Sequence, residues 1–208
     1  MTGIIELSDG SVAQRTPILK KRAIGDYAAF GLVRTEQRPI YKQNSFGELQ
    51  PDTKEDGRPK YELVLHGVSL GGTTMQAGLG DQIGVPKRGD EVRYICRAGG
   101  YRQWIDAKKE LRRNVRVGDI VEFRVNEAWL YFNGRKKGPV MRTMEEVNAC
   151  RERSPGQVIG FYGDITIAAS SDASLTTVCC DLYREHEAMN QNNGPTVGGQ
   201  NYSDMPDV

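Results

Sequence analysis

The alternation of apolar and polar positions along the chain predicts mainly β-strands. In residues 61–70, Tyr61, Leu63 and Leu65 recur at every second position, which is typical of a strand with one buried face. The same alternation, or a short apolar run rich in branched and aromatic residues, predicts five strands in all. They cover residues 26–33, 61–70, 91–97, 118–125 with an extension through 129–132, and 158–169.

One stretch shows helical spacing instead of alternation. In residues 100–113, Trp104, Lys108 and Leu111 recur near the 3.6-residue period of an amphipathic helix. Basic residues crowd the C-terminal half of this stretch, where they complement the negative end of the helix dipole. We therefore predict a helix between the third and fourth strands, and a second, short helix is compatible with residues 144–151.

The predicted order of three strands, one helix and two strands is that of an OB-fold. This fold is a five-stranded Greek-key barrel with one helix between strands 3 and 4. Two long polar loops, residues 43–60 and 133–155, follow the first and fourth strands. We therefore predict a mainly β protein with an OB-fold-like barrel, while a β-sandwich with one helix would show a similar pattern and stays open.

The segments outside this barrel differ in composition. Residues 1–22 are predicted to be a flexible N-terminal arm, and residues 23–170 form the barrel domain. Residues 171–189 are compatible with a short helix. Residues 190–208 are rich in Asn, Gln, Gly and Pro, which cannot bury a core, so a disordered tail with an acidic tip is predicted.

Composition argues against several classes of protein. No apolar run approaches the ~18 residues that a membrane span needs, and residues 1–10 lack the basic start and apolar stretch of a secretory signal. The four Cys residues form no CxxC pair, and neither His residue lies at a zinc-finger spacing. We therefore expect a cytoplasmic protein with free thiols, no membrane contact and no metal site.

The sequence contains no recognisable pattern of catalytic residues. Only two His residues occur, and neither a GxSxG elbow nor a GxxxxGK phosphate-binding loop is present. Neighbouring acids such as Asp90 and Glu91 point to opposite faces of a strand, so they do not form a carboxylate pair. We therefore expect no enzymatic activity, no catalytic residues and no cofactor.

Charge is distributed unevenly along the chain. The net charge is only +1, but residues 11–153 contain 27 Lys and Arg against 18 Asp and Glu, a net +9. Residues 154–208 contain one Arg and seven acidic residues, a net −6. A basic segment followed by an acidic one favours a polyanionic partner for the basic part.

Basic residues are interleaved with aromatic ones in three places. Single-stranded nucleic acid is held by cations on its phosphates and by aromatic faces on its bases, so both residue types are needed on one surface. Tyr94, Trp104 and Phe123 are interpreted as core because they lie on the apolar faces of predicted elements, whereas for the aromatic residues of the fourth strand both roles stay open. The candidate nucleic-acid-binding residues are Tyr41, Lys42, Phe46, Arg93, Arg97, Arg102, Trp129, Tyr131, Phe132, Arg135, Lys136 and Lys137.

Several segments carry a resemblance to a known family. They are IGDYAAFGLVR at residues 24–34, DGRPKYELVL at residues 56–65 and VGDIVEF at residues 117–123, followed at the C-terminus by a Gly-rich spacer and a short acidic and apolar tip. Together they resemble the single-stranded DNA-binding proteins of tailed phages and, less closely, those of bacteria. In that family the tip recruits replication and repair proteins, and here it corresponds to Asp204, Met205, Pro206, Asp207 and Val208.

The resemblance and the residue pattern lead to one expected function. We expect a phage-encoded protein of the host cytoplasm that binds single-stranded DNA without sequence specificity and protects it during replication and recombination. Its partners would be single-stranded DNA and, through the tail, replication or recombination proteins. A phage structural or assembly protein and an RNA chaperone are the alternatives, and whether the chain forms homo-oligomers stays open.

Overall fold

The structure is a computed structural model that describes residues 3–6, 12–54, 56–79, 82–96, 99–132 and 135–192. Within these residues the chain is mainly β and forms thirteen strands and three helices. The strands are β1 Gly3–Glu6, β2 Val12–Arg15, β3 Ile18–Lys20, β4 Tyr27–Pro39, β5 Tyr41–Gln43, β6 Leu49–Pro51, β7 Tyr61–Ser69, β8 Gln76–Leu79, β9 Gln82–Gly84, β10 Glu91–Cys96, β11 Ile120–Phe132, β12 Arg135–Met141 and β13 Val158–Ala168. The helices are α1 Gly99–Leu111, α2 Met144–Arg153 and α3 Ala173–Asn192.

Five long strands form the centre of the main sheet, in the order β10-β7-β4-β11-β13. Each neighbouring pair in this order is antiparallel. The strand β11 pairs with β13 along one edge, whereas its other edge is shared between β4 in its first half and β12 in its second half. Beyond β10 the sheet continues through β3, β8 and β9, and β3 runs parallel to β10.

The main core lies between the central strands and α1. Alternate residues of β10 and β11 point into it, including the aromatic pair Tyr94 and Phe123, whose ring centroids are 4.6 Å apart. The helix α1 packs against both β10 and β13 and inserts Trp104 and Ala107, which are almost completely buried. The apolar face that the sequence predicts for α1 is therefore the face that packs against β10 and β13.

A second, smaller core holds α3 on the other side of β4. Leu175 and Cys179 of α3 pack against Val33 and Val68. Close approach of the helix requires a glycine on β4, because a Cβ atom on Gly31 would lie only 2.8 Å from Leu175 Cδ1. The sequence is compatible with a short helix in residues 171–189, and in the structure this segment belongs to the twenty-residue helix α3.

The prediction of a closed five-stranded barrel with one helix is wrong. Within the described residues, no hydrogen-bonded ladder joins β10 to β13. The mixed sheet is therefore open between these two strands and does not close into a barrel. The physical reason is that β3 occupies the second edge of β10, where Arg93 pairs with Ile18, and α1 packs across the remaining gap. The helices α2 and α3 add to the one predicted, and α2 is capped by reciprocal bonds between Thr143 and Glu146.

The segments expected to lack regular structure also differ from the prediction. The predicted N-terminal arm contains β1 and β2, which pair with each other, and β3, which joins the main sheet. The loop after the first central strand contains the β5–β6 hairpin. The predicted disordered tail lies outside the described residues from residue 193 onward.

Candidate nucleic-acid interface

A surface cleft of about 1030 Å³ opens where α1 meets the ends of β10, β11 and β13. Three separate segments supply its cations: the end of β3 with the link to β4, the first turns of α1, and β12. The cations that line it are Lys20, Lys21, Arg22, Arg102 and Lys136, and the acids that line it are Asp106 and Glu127. We call this site the basic cleft, because cations outnumber acids among the residues that line it.

Aromatic side chains form one wall of the basic cleft. The rings of Tyr131 on β11 and Tyr162 on β13 are stacked with their centroids 6.2 Å apart, and their hydroxyl groups contact each other. This packing needs a glycine, since a Cβ atom on Gly160 would lie 2.9 Å from a carbon of the Tyr131 ring. Local sequence therefore creates room for the tyrosine pair at the surface.

Lys136 lies over two aromatic rings at this wall and adds a positive charge to the cleft. Its ammonium nitrogen lies 4.5 Å from the ring centroid of Trp129 and 4.2 Å from that of Tyr162. The indole of Trp129 is held in place by a bond of 2.9 Å that its Nε1–H donates to Glu127 Oε1. We call Trp129, Tyr131, Tyr162 and Lys136 the aromatic wall.

A bulge in β11 determines which residues face this wall. The pairing register of β11 with β13 shifts between Val125 and Glu127. Before the bulge the odd-numbered residues point into the core, whereas after it Ala128 is completely buried. Trp129 and Tyr131 consequently lie on the outer face, although they continue the odd-numbered positions that are buried earlier in the strand.

Lys21 lies at the inner side of the basic cleft and is half-buried. Its ammonium nitrogen is 5.4 Å from the ring centroid of Phe123 and 5.7 Å from those of Tyr94 and Tyr162. Burial lowers the pKa of this ammonium group, while the neighbouring Cys96 acts in the opposite direction. Burial also raises the pKa of the Cys96 thiol to about 12.

Three predicted site residues lie away from the cleft, on a hairpin. Residues 40–54 and 56–60 form an extension of β4 and β7 that contains β5 and β6, which we call the exposed hairpin. Tyr41 is 55% exposed and Phe46 is 87% exposed at its tip. Lys42 is paired there with Asp52, at 3.2 Å between nitrogen and oxygen.

The other candidates are distributed as follows. Arg102, Tyr131 and Lys136 line the basic cleft, and Trp129 is beside it. Arg93 is not among its lining residues, because its side chain donates to the backbone oxygen of Thr16 at the edge of β10. Lys137 lies in a smaller pocket beside α2. The described part of the chain does not include Arg97, the side chains of Phe132 and Arg135, or the tip residues Asp204, Met205, Pro206, Asp207 and Val208.

Sequence reasoning missed two contributors to the cleft. Lys20, Lys21 and Arg22 fall within residues 1–22, for which the sequence predicts a flexible arm and no site. Tyr162 carried no signal of its own, because its role depends on stacking against Tyr131. The interpretation of Tyr94, Trp104 and Phe123 as core is confirmed, since each is at most 2% exposed.

The described residues contain neither a candidate metal cluster nor a helix suited to span a membrane. No cluster of three or more His, Cys, Asp or Glu suited to a metal ion occurs among them. None of their helices combines the length and apolar character needed to cross a bilayer.

Comparison with known proteins found no match to any family model and no significant similarity to curated proteins or to solved structures.

Proposed function

We propose that this chain binds single-stranded DNA without sequence specificity, with phosphates along the basic cleft and bases against the aromatic wall. The observation that carries the proposal is Lys136, which lies over the faces of both Trp129 and Tyr162. A cation beside partly exposed aromatic rings would give a strand both of the contacts that it needs, phosphate neutralisation and base stacking.

The geometry favours a single strand over a duplex. Base faces are available for stacking only where the bases are unstacked, and duplex DNA hides those faces. The cations come from three segments around an open cleft rather than from one helix suited to a major groove. A flexible strand can follow such a surface by bending at each nucleotide.

The strand order supports the same proposal. The spatial order β10-β7-β4-β11-β13, with α1 between β10 and β11 along the chain, is compatible with an OB-fold-like arrangement, but no closing ladder joins β10 and β13 among the described residues. In that fold the loops after the first and fourth strands bind nucleic acid. Here those positions are taken by the exposed hairpin and by the β11–β12 hairpin that carries Lys136.

The resemblance to phage single-stranded DNA-binding proteins extends the proposal to a role. Coating of displaced strands would protect them during replication or recombination, and no catalytic step is needed for this. Recruitment of replication or recombination proteins through residues 204–208 is part of the proposal.

The test is fluorescence anisotropy with a labelled dT oligomer, the matched RNA and a duplex. We expect the full chain to bind the dT oligomer more tightly than the duplex. Lys136→Ala should weaken binding to dT by about tenfold, because it removes a phosphate contact and the cation over two rings. Arg184→Ala is the matched control, since Arg184 is an exposed cation of α3 that is paired with Asp181 outside the cleft.

Each other outcome counts against a specific part of the proposal. Equal losses in the two variants would show that only overall charge matters. Equal or tighter binding of RNA would favour an RNA chaperone. Absence of binding to every nucleic acid would overturn the proposal and favour a structural or assembly protein.

A further inference from the structure

Lys21 differs in its surroundings from the other cations of the basic cleft. Three aromatic rings, those of Tyr94, Phe123 and Tyr162, lie within 5.7 Å of its ammonium nitrogen. Within the part of the chain that the structure describes, Lys21 makes no ion pair. The side chain nevertheless lines the basic cleft, together with Tyr162 of the aromatic wall.

Two effects act on the protonation of this amine. The ring faces attract an ammonium ion, but this attraction is weak at separations near the 6 Å limit of a cation–π contact. Burial removes water from the ammonium and has the larger effect, so the pKa of Lys21 is lowered. A larger share of Lys21 is therefore in the neutral, nucleophilic form than is usual for a lysine at the surface.

We propose that Lys21 is a reactive amine that captures the aldehyde of abasic sites in single-stranded DNA. The inference rests on the proposed function, because a bound strand is what brings the sugar into the cleft. An abasic nucleotide has no base to stack on Tyr131 and Tyr162, so space opens in front of the aromatic wall. Its sugar can then approach Lys21 more closely than that of an intact nucleotide.

The reaction needs no further reagent. The open-chain form of an abasic deoxyribose carries an aldehyde at C1′. The neutral Lys21 nitrogen adds to C1′, a C–N bond forms, and the electron pair of the C=O double bond moves to oxygen, which takes up a proton. Loss of that oxygen as water, with the protons of the amine, leaves a C=N bond. Amine and aldehyde thus give imine and water, with no oxidation or reduction.

The test uses the full chain and a labelled dT oligomer that contains one abasic site. Sodium borohydride reduces an imine to a stable secondary amine, so that the covalent complex can be counted on a denaturing gel. We expect Lys21→Arg, which keeps the positive charge, to lower the yield by about tenfold or more. Lys87→Arg, at an exposed lysine that does not line the basic cleft, is the matched control and should retain the yield of the unaltered chain.

Anisotropy with an intact dT oligomer separates the two proposals. If the chain binds intact dT but Lys21→Arg forms the covalent complex as well as the unaltered chain, the inference about Lys21 is wrong and the proposed function stands. If the chain does not bind dT, both are wrong. Should Lys21→Arg not fold, mass spectrometry of the complex formed by the unaltered chain decides: attachment at Lys21 supports the inference, and attachment elsewhere overturns it.

Discussion

The two Trp residues of the chain occupy contrasting environments. Trp104 lies on the buried face of α1 and is only 2% exposed. Trp129 is half-buried on the outer face of β11, with Lys136 over its ring and its Nε1–H bonded to Glu127. A truncation of each side chain should therefore affect a different property of the protein.

For Trp104→Ala we expect a loss of about 3–5 kcal/mol in the free energy of unfolding, because a large cavity replaces a core ring. For Trp129→Ala we expect a loss of about 1–3 kcal/mol in binding to single-stranded DNA, with the fold intact. Chemical denaturation and anisotropy measure the two effects. If Trp129→Ala unfolds the protein instead, its indole is a structural element and does not stack on bases.

His66 is a buried residue of β7 whose protonation is opposed by its surroundings. Its Nε2 lies 3.0 Å from Glu36 Oε2, and its ring centroid is 5.9 Å from that of His186 on α3. Burial has the largest effect and lowers the pKa of His66 to about 4, although the hydrogen bond to Glu36 acts to raise it. The hydrogen bond from His66 in turn lowers the pKa of Glu36 to about 2.

Stability should therefore fall as the solution is acidified. Between pH about 6.5 and 4 the unfolded chain takes up a proton on His66 that the folded chain does not, so the free energy of unfolding decreases by up to about 3 kcal/mol. Below pH about 4.5, protonation of Glu36 in the unfolded chain decreases it further. Urea denaturation at a series of pH values measures this.

The control for this pH dependence is His66→Gln. The amide can still donate to Glu36 but does not titrate, so its free energy of unfolding should vary less between pH 6.5 and 4. An equal slope in the two proteins would show that other groups cause the acid sensitivity.

Among the elements, the exposed hairpin presents an aromatic side chain in a defined position. Its turn is closed by Asn44, whose Oδ1 accepts 2.9 Å hydrogen bonds from the backbone nitrogens of Phe46 and Glu48. The turn is therefore ordered by local bonds, although Phe46 itself packs against little and is 87% exposed. An ordered turn with an exposed ring is suited to stacking on a base.

Phe46→Ala should weaken binding to single-stranded DNA by about 1–3 kcal/mol and leave the free energy of unfolding unchanged. The control is Leu49→Ala on the same hairpin, because Leu49 is exposed and apolar but has no ring face. Anisotropy and denaturation distinguish the effects. Equal losses of affinity in the two variants would indicate a general apolar contact rather than stacking.

At the scale of the whole molecule, charge separates into two parts. The basic residues 11–153 include all five cations of the cleft, whereas the acidic residues 154–208 include α3, which packs on the other side of β4. Within α3, Asp181, Glu185 and Glu187 outnumber the one cation, Arg184. At the cleft itself five cations face two acids, so a polyanion is attracted there.

Binding to single-stranded DNA should weaken steeply with salt. If the five cations each neutralise a phosphate, the slope of log K against log salt concentration is about −3 to −4. Anisotropy titrations at several salt concentrations give this slope, and Lys136→Ala should reduce its magnitude by about 0.7. A slope near zero would contradict phosphate contacts as the source of affinity.

The sequence by itself determined the elements whose signal is local. The predicted strands at residues 61–70, 91–97 and 158–169 and the predicted helix at residues 100–113 agree with β7, β10, β13 and α1 to within two residues at each end. The burial of Trp104 followed from the same patterns. Side-chain periodicity is set by the backbone geometry of each element, so it can be read without knowledge of the partners.

Only the tertiary structure decided how these elements close and where the cleft lies. Whether β3 or β13 pairs with β10 depends on competition between distant segments for one strand edge, and alternation within a strand carries no information about it. The bulge after Val125 turns Trp129 and Tyr131 outward, which reverses the face that simple alternation assigns. Lys21 and Tyr162 meet only because the link before β4 and the strand β13 converge on α1, over 141 residues of sequence. The chemistry of the cleft is thus a property of long-range packing, whereas its strands and helix are properties of local sequence.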